Sequence, residues 1–553
     1  MILSSQQDIQ KFSNLGVWGT RTLMDFFKVH LHDSPDSVCI VDPPNKTDLM
    51  GSAPQRLTYR EFDRAVDAAA SALVRMGVQK DDVIVVQMPN CWELAMLYLA
   101  ISKTGAVISP APVLWREAEL GHIAELTRAK LFITVEAFNN FNHREMAERI
   151  RNKSAFMTRV LIYPELLEMI QGPVDPELNA IPVDANDIFS ICWTSGTEAN
   201  SKGCPLSHNN WAGMAMVQDA AGMQPGDTFL TAGPLVNMAS LGTVYVPWLV
   251  LGGTMVLHHP FDPQGFMMQI MQEKPQYTLL VPAVANMIVK HPMVDHFDLS
   301  CFRSITLGSA PPSLWSMQEF KRRWNVDIGN IWGQNEGTGI VAGLEDIPEI
   351  ERRVDHFPQW GKPGANWKSG ASRVVEVKII DPEGNELTGA GEVGELVYKG
   401  PGVIAEYYKN PEATNNGFTK DGYFKTGDLF RIREGYCISF FERGKDIIIR
   451  GGYNISSQEV ENYLLSHPDV QEAAVVGMLD EKLGERMCAY IVPMKSKTVT
   501  LEDLTILLTE KGVAKYKHPE RIEIVEAIPR NPVGKILKKV LRADIQRKKT
   551  QEV

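Results

Sequence analysis

The segment Ile188–Trp211 reads IFSICWTSGTEANSKGCPLSHNNW. An apolar run ends at Trp193, and the hydroxyl and glycine residues Thr194, Ser195, Gly196 and Thr197 follow it directly. Lys202 and Gly203 close the loop, and Ser207 stands where it can cap a following helix. Glycines let backbone N–H groups converge, hydroxyls add donors and a lysine adds positive charge, a combination that makes a nest for phosphate. The pattern departs from G-x-x-x-x-G-K-[ST]: Lys202 follows Gly196 at the right spacing, but Ser201 replaces the second glycine and Gly203 the metal-binding hydroxyl. Kinase-type chemistry is therefore disfavoured, and a plain strand-to-helix turn is the other reading of the same residues.

The elements that must position this loop are strand-like runs alternating with helical patterns through the first 350 or so residues. DDVIVVQMP precedes CWELAMLYLAISKTG, KLFITV precedes HREMAERIR, TMVLHH precedes GFMMQIMQE, and YTLLVP precedes VANMIVKH. This alternation predicts βαβ units with parallel strands covered on both faces. From about Gly361 the texture changes to short alternating strands with Gly-rich and Asp-Pro turns, which predicts a β-rich, barrel-like subdomain over about 361–443. From 444 to 553 the pattern is a compact α+β unit: strand DIIIR, a turn at GGYN, and a helix opened by Ser456 with Glu459 as a capping box. The expected fold class is thus α/β, with a large N-terminal domain over 1–443, its βαβ lobes ending near 360, and a small C-terminal domain over 444–553.

Composition narrows the function classes. The 553 residues exceed what one core serves, and 44% apolar with 22% charged residues is ordinary for a globular protein. Fifty-six basic against 67 acidic residues give a net charge of −11, which opposes general nucleic-acid binding and suits a cytoplasmic protein. The basic cluster Lys535 to Lys549 is the local exception, and all but its first lysine read as a solvated helix face. The 7 cysteines form no C-x-x-C pair, so neither a disulfide framework nor a zinc site is indicated, and Cys192 and Cys204 read as packing residues. The N-terminus lacks a signal-peptide pattern, and the apolar run Leu241 to Leu257 is broken by Pro247, Gly252 and Gly253, so no membrane span is expected.

Thr194 to Gly203 resembles the signature loop of the adenylate-forming superfamily, which includes acyl-CoA synthetases, aryl-CoA ligases, luciferases and peptide-synthetase adenylation domains. The resemblance continues in the family's order through LGSAPP (Leu307 to Pro312), WGQNEG (Trp332 to Gly337), GELVYKGPGVIAEYYKNPEAT, YFKTGDL (Tyr423 to Leu429), ERGKDIIIRGGYNISSQEVE (Glu442 to Glu461) and PRNPVGKILKK (Pro529 to Lys539). It covers most of the chain. It implies an AMP-forming acid:CoA ligase that converts a carboxylate and MgATP to an acyl adenylate and pyrophosphate, then a thiol, CoA, to a thioester and AMP. Loading of a carrier protein and a catalytically silent binding homologue are the competing readings.

The same resemblance implies residue roles. Thr194, Ser195, Gly196, Thr197 and Lys202 would hold the phosphates, and Gly308, Ser309 and Ala310 the adenine pocket. Trp332 offers a π surface for stacking on adenine, Gly333, Gln334 and Asn335 complete that segment, and Glu336 is a hard oxygen ligand for Mg²⁺. Asp428, in an expected tight turn, would take the ribose hydroxyls with help from Arg443. Lys445 would be the hinge, Gly451, Gly452 and Tyr453 would line the CoA thiol tunnel, and Lys535 would reach the carboxylate and α-phosphate. Asn237, Met238, Ala239, Leu307 and Gly337 would line the acid pocket, which has no aspartate to hold an ammonium group and so suits a hydrophobic medium-chain, alicyclic or aryl acid. Three departures stand out: Glu198, Ala199 and Ser201 where the family has Thr, Gly and Pro; Asn335 where it has threonine, with an amide that can still donate to phosphate; and Asn237 where acyl-CoA ligases commonly carry histidine.

Overall fold

In the computed structural model, residues 1–194, 201–215, 219–450, 453–480, 482–531 and 535–551 are described, with Thr338, Lys445, Asn454 and Thr550 described through their backbone alone. The expectations for Ser195, Gly196, Thr197, Glu198, Ala199, Gly451 and Gly452 lie outside the described residues. The chain folds as two compact units, residues 1–376 with 399–422, and residues 377–398 with 423–553. This partition runs through the β-rich stretch rather than after Arg443. The physical reason is pairing: Val393–Lys399, Phe424–Arg433 and Cys437–Arg443 hydrogen-bond to one another in an antiparallel meander.

The first unit contains the expected strand–helix pairs: Val83–Gln87 with Trp92–Lys103, Leu131–Thr134 with His143–Lys153, Thr254–Leu257 with Pro263–Glu273, and Tyr277–Leu280 with Pro282–Val289. Among the described residues they build two sheets. One is ordered Gly203–Ser207, Ile188–Trp193, Val107–Pro110, Val83–Gln87, Leu131–Thr134, Arg159–Ile162, parallel except at its first pair. The other is ordered Gly337–Ala342, Asp327–Gln334, Ser304–Gly308, Tyr277–Leu280, Thr228–Thr231, Thr254–Leu257, Val38–Val41, Arg56–Thr58, with antiparallel pairing only at its two edges. Parallel strands need long crossovers, and the helices that supply them cover the faces. Val83–Gln87 is buried throughout as a result. Helix Trp92–Lys103 is apolar on every side, as its sequence requires of a helix buried all round. Its Tyr98 stacks on Phe189 of the first sheet, and the Tyr245 hydroxyl donates to its Ala95 carbonyl at 2.8 Å.

In the second unit, Val470–Asp480 and Gly484–Pro493 form the centre of a sheet completed by Ile448–Arg450, Tyr453–Ile455 and Arg521–Ile524. Val475, Met487, Ala489 and Ile491 pack with Val460, Leu464, Leu504 and Leu508, while Val476, Cys488 and Tyr490 pack with Leu541 and Ile545. The period-two alternation of a strand thus sends one set of side chains to each layer of helices. Ser456 caps helix Ser457–Leu464 by accepting from the Glu459 N–H at 3.1 Å, while the Glu459 carboxylate pairs with Lys517. Tyr453, expected in the GGYN turn, already lies in a strand. The solvated reading of the basic helix needs one correction: Lys538 is half-buried and pairs with Glu461 at 2.9 Å and with the Ser457 hydroxyl. Lys538 opens the helix, which packs on strand Val470–Asp480, and its ammonium meets the buried Glu461 carboxylate.

The first unit carries a more deeply buried charge cluster. Lys46, Asp42 and Glu93 are each at most 2% exposed, and the Lys46 ammonium reaches Asp42 at 2.7 Å and both Glu93 oxygens at 2.7 and 2.8 Å. Asp42, just past strand Val38–Val41, also accepts from the Trp92 N–H at 2.9 Å and so caps helix Trp92–Lys103, and Tyr163 donates to Glu93 at 2.7 Å. Burial, opposed by Lys46, raises the Asp42 carboxyl to about 6. One lysine therefore holds two carboxylates out of water. Lys46→Met is expected to lower stability by about 3–5 kcal/mol, because it leaves buried carboxylates without their cation; urea unfolding at pH 7 measures the loss.

Candidate active site

Strand Ile188–Trp193 does not lead into a helix. It pairs antiparallel with Gly203–Ser207, in register at Trp193 with Gly203, and the expected helix begins only at His208, capped by Ser207 in a box with Asn210. Lys202 is thus followed by an antiparallel strand and not directly by a helix N-terminus. The neck is closed by two bonds: the Thr194 N–H donates to the Lys202 carbonyl at 3.0 Å, and the Lys202 N–H donates to Thr194 Oγ1 at 3.1 Å. Gly203 is required for this pairing, since a Cβ there would stand 2.9 Å from Ile191 Cγ2.

The Lys202 ammonium lies 4.7 Å from the centre of the Tyr407 ring, a cation–π distance, and the Tyr407 hydroxyl donates to Glu336 Oε1 at 2.8 Å. One aromatic ring therefore brings together the lysine and the carboxylate that the sequence marks separately. The backbone secures both ends: the Ile404 N–H donates to the Glu336 carbonyl and the Tyr408 N–H to the Gly203 carbonyl, each at 2.9 Å. Sequence reasoning misses Tyr407, although it lies inside IAEYYKNPEAT. Its place in that stretch is the only signal.

Asn335 and Glu336 form the two-residue turn between strands Asp327–Gln334 and Gly337–Ala342. The Asn335 amide donates to the Trp193 carbonyl at 2.8 Å, and its oxygen accepts from the Met238 N–H at 2.9 Å. This side chain ties the start of the phosphate loop to the segment expected to line the acid pocket. Asn237 caps Met238–Ser240 by accepting from the Ser240 N–H at 3.3 Å, and the helix continues as a π-helical turn over Leu241–Tyr245. Trp332 is 9% exposed, so most of its ring surface already packs within the protein. Gly308 ends its strand with no room for a side chain, since a Cβ would meet Ile331 Cγ2 at 2.8 Å, and Ser309 follows with φ +70°, exposed beside Ala310.

Leu307 needs a correction. Its side chain packs into the helix-covered core with Leu280, Ile305, Ile328 and Phe320 rather than towards Met238. Side chains alternate along a strand, so Thr306 and Gly308 face the side opposite to Leu307.

In the second unit, Asp428 lies inside strand Phe424–Arg433 and not in a tight turn. The strand bulges there: Thr426, Gly427 and Asp428 face the single residue Leu396, Gly427 has φ +70°, and the Asp428 N–H donates to Thr426 Oγ1 at 3.0 Å. Asp428 is in register with Arg443, whose Nε lies 3.9 Å from its carboxylate. Lys445 follows in a short 3₁₀ turn over Gly444–Asp446. Tyr453 is exposed and stacks on Tyr516 with ring centres 4.4 Å apart. Lys535 pairs with Asn531: its N–H donates to Asn531 Oδ1 and its carbonyl accepts from the Asn531 N–H, both at 2.8 Å.

The thiols near the loop are inert. Burial pushes Cys192 up to about 12 and Cys204 well above the usual thiol range, so neither supplies a thiolate. Among the described residues no three His, Cys, Asp or Glu side chains gather as a metal site, and no helix is long and apolar enough to cross a membrane. Among the described residues, the first unit's candidate site brings together the Lys202 cation, the Tyr407 ring and the Glu336 carboxylate.

Comparison with known proteins agrees with that chemistry. Residues 27–408 match the family model described as AMP-binding enzyme, and residues 459–535 match the AMP-binding enzyme C-terminal domain. The medium-chain fatty-acid–CoA ligase of Escherichia coli (strain K12) is 30% identical, over 99% of this chain and 95% of that protein. The 2,3-dihydroxybenzoate-AMP ligase of Bacillus subtilis (strain 168) is 31% identical over 89% of each chain. Among solved structures, ATP-bound MatB from Rhodopseudomonas palustris superposes with a TM-score of 0.81 at 26% identity, covering 96% of this chain and 99% of that one. The chain belongs to the AMP-binding enzyme family, the adenylate-forming acid ligases.

Proposed function

We propose that this chain converts a hydrophobic carboxylic acid and MgATP to an acyl adenylate and pyrophosphate, then passes the acyl group to CoA with release of AMP. The observation that carries the reading is the Lys202–Tyr407–Glu336 arrangement at the neck of the hydroxyl-rich loop. An acid activated by attack on the α-phosphate needs positive charge where pyrophosphate leaves, and no covalent intermediate on the protein. Lys202 supplies that charge, with Thr194, Ser195, Gly196 and Thr197 donating to the phosphate oxygens. Glu336 would hold Mg²⁺, which supplies further charge neutralisation. A carboxylate fixed by a hydroxyl suits an ion that takes most of its ligands from phosphate and water.

Asp428 and Arg443 take the ribose hydroxyls in this reading, and Gly308, Ser309, Ala310 and the Trp332–Gln334 strand the adenine. Lys535 lies between the carboxylate and the α-phosphate in the first half-reaction. Gly451, Gly452 and Tyr453 serve the thiol in the second, and Lys445 is the pivot between the two. The small or apolar residues Met238, Ala239, Gly308 and Gly337 suit an acid without a charged tail, since an ammonium buried without a partner carboxylate is costly. Free CoA is preferred to a carrier protein as acceptor, and thiol-dependent AMP release with each acceptor distinguishes the two.

Lys535→Ala is expected to lower acid-dependent ATP–pyrophosphate exchange by on the order of 10²-fold or more, as loss of an oxyanion donor does. The same variant should still convert preformed acyl adenylate to thioester; near-normal exchange would sink the assignment. Tyr407→Phe keeps the ring under Lys202 but removes the hydroxyl from Glu336, and the Mg²⁺ concentration for half-maximal exchange should rise by about tenfold. Asn335→Leu leaves the Trp193 carbonyl and the Met238 N–H unpaired, and urea unfolding should register a loss of about 2 kcal/mol or more.

A further inference from the structure

The direction of the Lys202 side chain follows from the peptide that joins it to Ser201. That peptide is planar and is gripped at both ends: the Lys202 N–H donates to Thr194 Oγ1 at 3.1 Å, and the Ser201 carbonyl meets Nε2 of His122 at 3.3 Å. A carbonyl only accepts, so His122 carries a proton on Nε2 and donates it. The Thr194 bond belongs to the loop's own neck, whereas His122 comes from helix Glu117–Thr127, 79 residues away in the sequence. Ser201 has no ring to restrict its φ, so the tilt of this peptide depends on those two bonds. His122, Thr194, Ser201 and Lys202 are all half-buried rather than enclosed in the core.

The helix that carries His122 is itself fixed. Leu120, Ile123, Ala124 and Thr127 are its buried stripe, at the i, i+3, i+4, i+7 spacing of one helix face. The first three share a core with Ile191, Trp193 and Tyr408. The same helix accepts the Lys409 ammonium at its Leu126 carbonyl, at 3.3 Å. One element therefore meets both segments that place Lys202. It holds the backbone peptide through His122, and through Leu126 it holds the stretch 404–409, whose Tyr407 ring lies beneath the Lys202 ammonium. Removing the His122 donor frees the peptide but leaves the helix, its core and the Tyr407 ring in place.

We infer that His122 is a positioning residue for phosphate binding: by holding the Ser201 carbonyl it directs Lys202 at the β- and γ-phosphates of ATP, an inference that rests on the proposed reading of this loop as the phosphate grip. AMP lacks those phosphates, so the effect is confined to ATP. The test is calorimetric titration of the full chain with MgATP and, separately, with AMP. His122→Leu keeps the bulk and removes the donor. It should weaken MgATP binding by about tenfold, the worth of one hydrogen bond, while AMP binding and the thermal unfolding midpoint stay as in the wild type. His122→Gln places an amide N–H near the position of Nε2 and should recover most of the ATP affinity. Unchanged ATP affinity in His122→Leu, an equal loss for AMP, or a glutamine variant as weak as the leucine one overturns the inference. The ratio of the two losses decides the matter even where a variant is less stable. Acid-dependent ATP–pyrophosphate exchange by the wild type tests the ligase reading separately: silence with every acid removes that reading, while the two titrations still decide the role of His122. A wild type that binds neither nucleotide removes both.

Discussion

Strands Thr228–Thr231, Tyr277–Leu280, Ser304–Gly308 and Asp327–Gln334 pair in parallel, so their carboxyl ends open on one edge of the sheet. Gly308, Ser309, Asn335 and Glu336 reach that edge because of strand direction, before any loop makes a contact of its own. The Asn335 carboxamide then joins this edge to the end of a strand in the other sheet, at Trp193, and to the proposed acid segment at Met238. The rest of the first unit's site depends on that junction, since it sets where the hydroxyl-rich loop starts relative to the segment that would hold the acid.

Charge within the site follows from the same economy of parts. Tyr407 serves both Lys202 and Glu336, offering its ring to the cation and its hydroxyl to the carboxylate. Each group is thereby oriented by the same side chain, as the proposed phosphate and Mg²⁺ roles would require. The thiols nearby carry no charge, because burial holds Cys192 and Cys204 protonated.

Elsewhere the protein buries charge to join segments. Lys46 links two carboxylates, one of which caps the helix that runs beneath the first sheet, and Lys538 does the same work for the smaller unit with Glu461. Both lysines look ordinary in the sequence, one beside a proline-rich loop and one in a basic run. Their partners are brought to them by packing of distant elements, and the energetic consequence is that loss of either lysine leaves a buried carboxylate uncompensated.

Local chemistry makes much of this protein legible without coordinates. Apolar runs of strand length alternating with helical periodicity predict parallel units, and the strands at Val83–Gln87 and Tyr277–Leu280 with their helices stand where that periodicity puts them. Lys202, Glu336, Asp428 and Lys535 are marked because their types and surroundings match a known order of motifs. What tertiary structure alone decided is which faces and partners those residues meet. That the loop at Thr194 returns as a hairpin, that Leu307 turns away from Met238 while Thr306 turns towards it, and that Asp428 sits on a bulge all depend on strand register. Register is set by pairing between segments far apart in the chain, and a shift of one residue exchanges the two faces. Tyr407 and Asn335 belong to the same class: their roles are hydrogen bonds across 71 and 142 residues of sequence, and no local pattern encodes a partner at that distance.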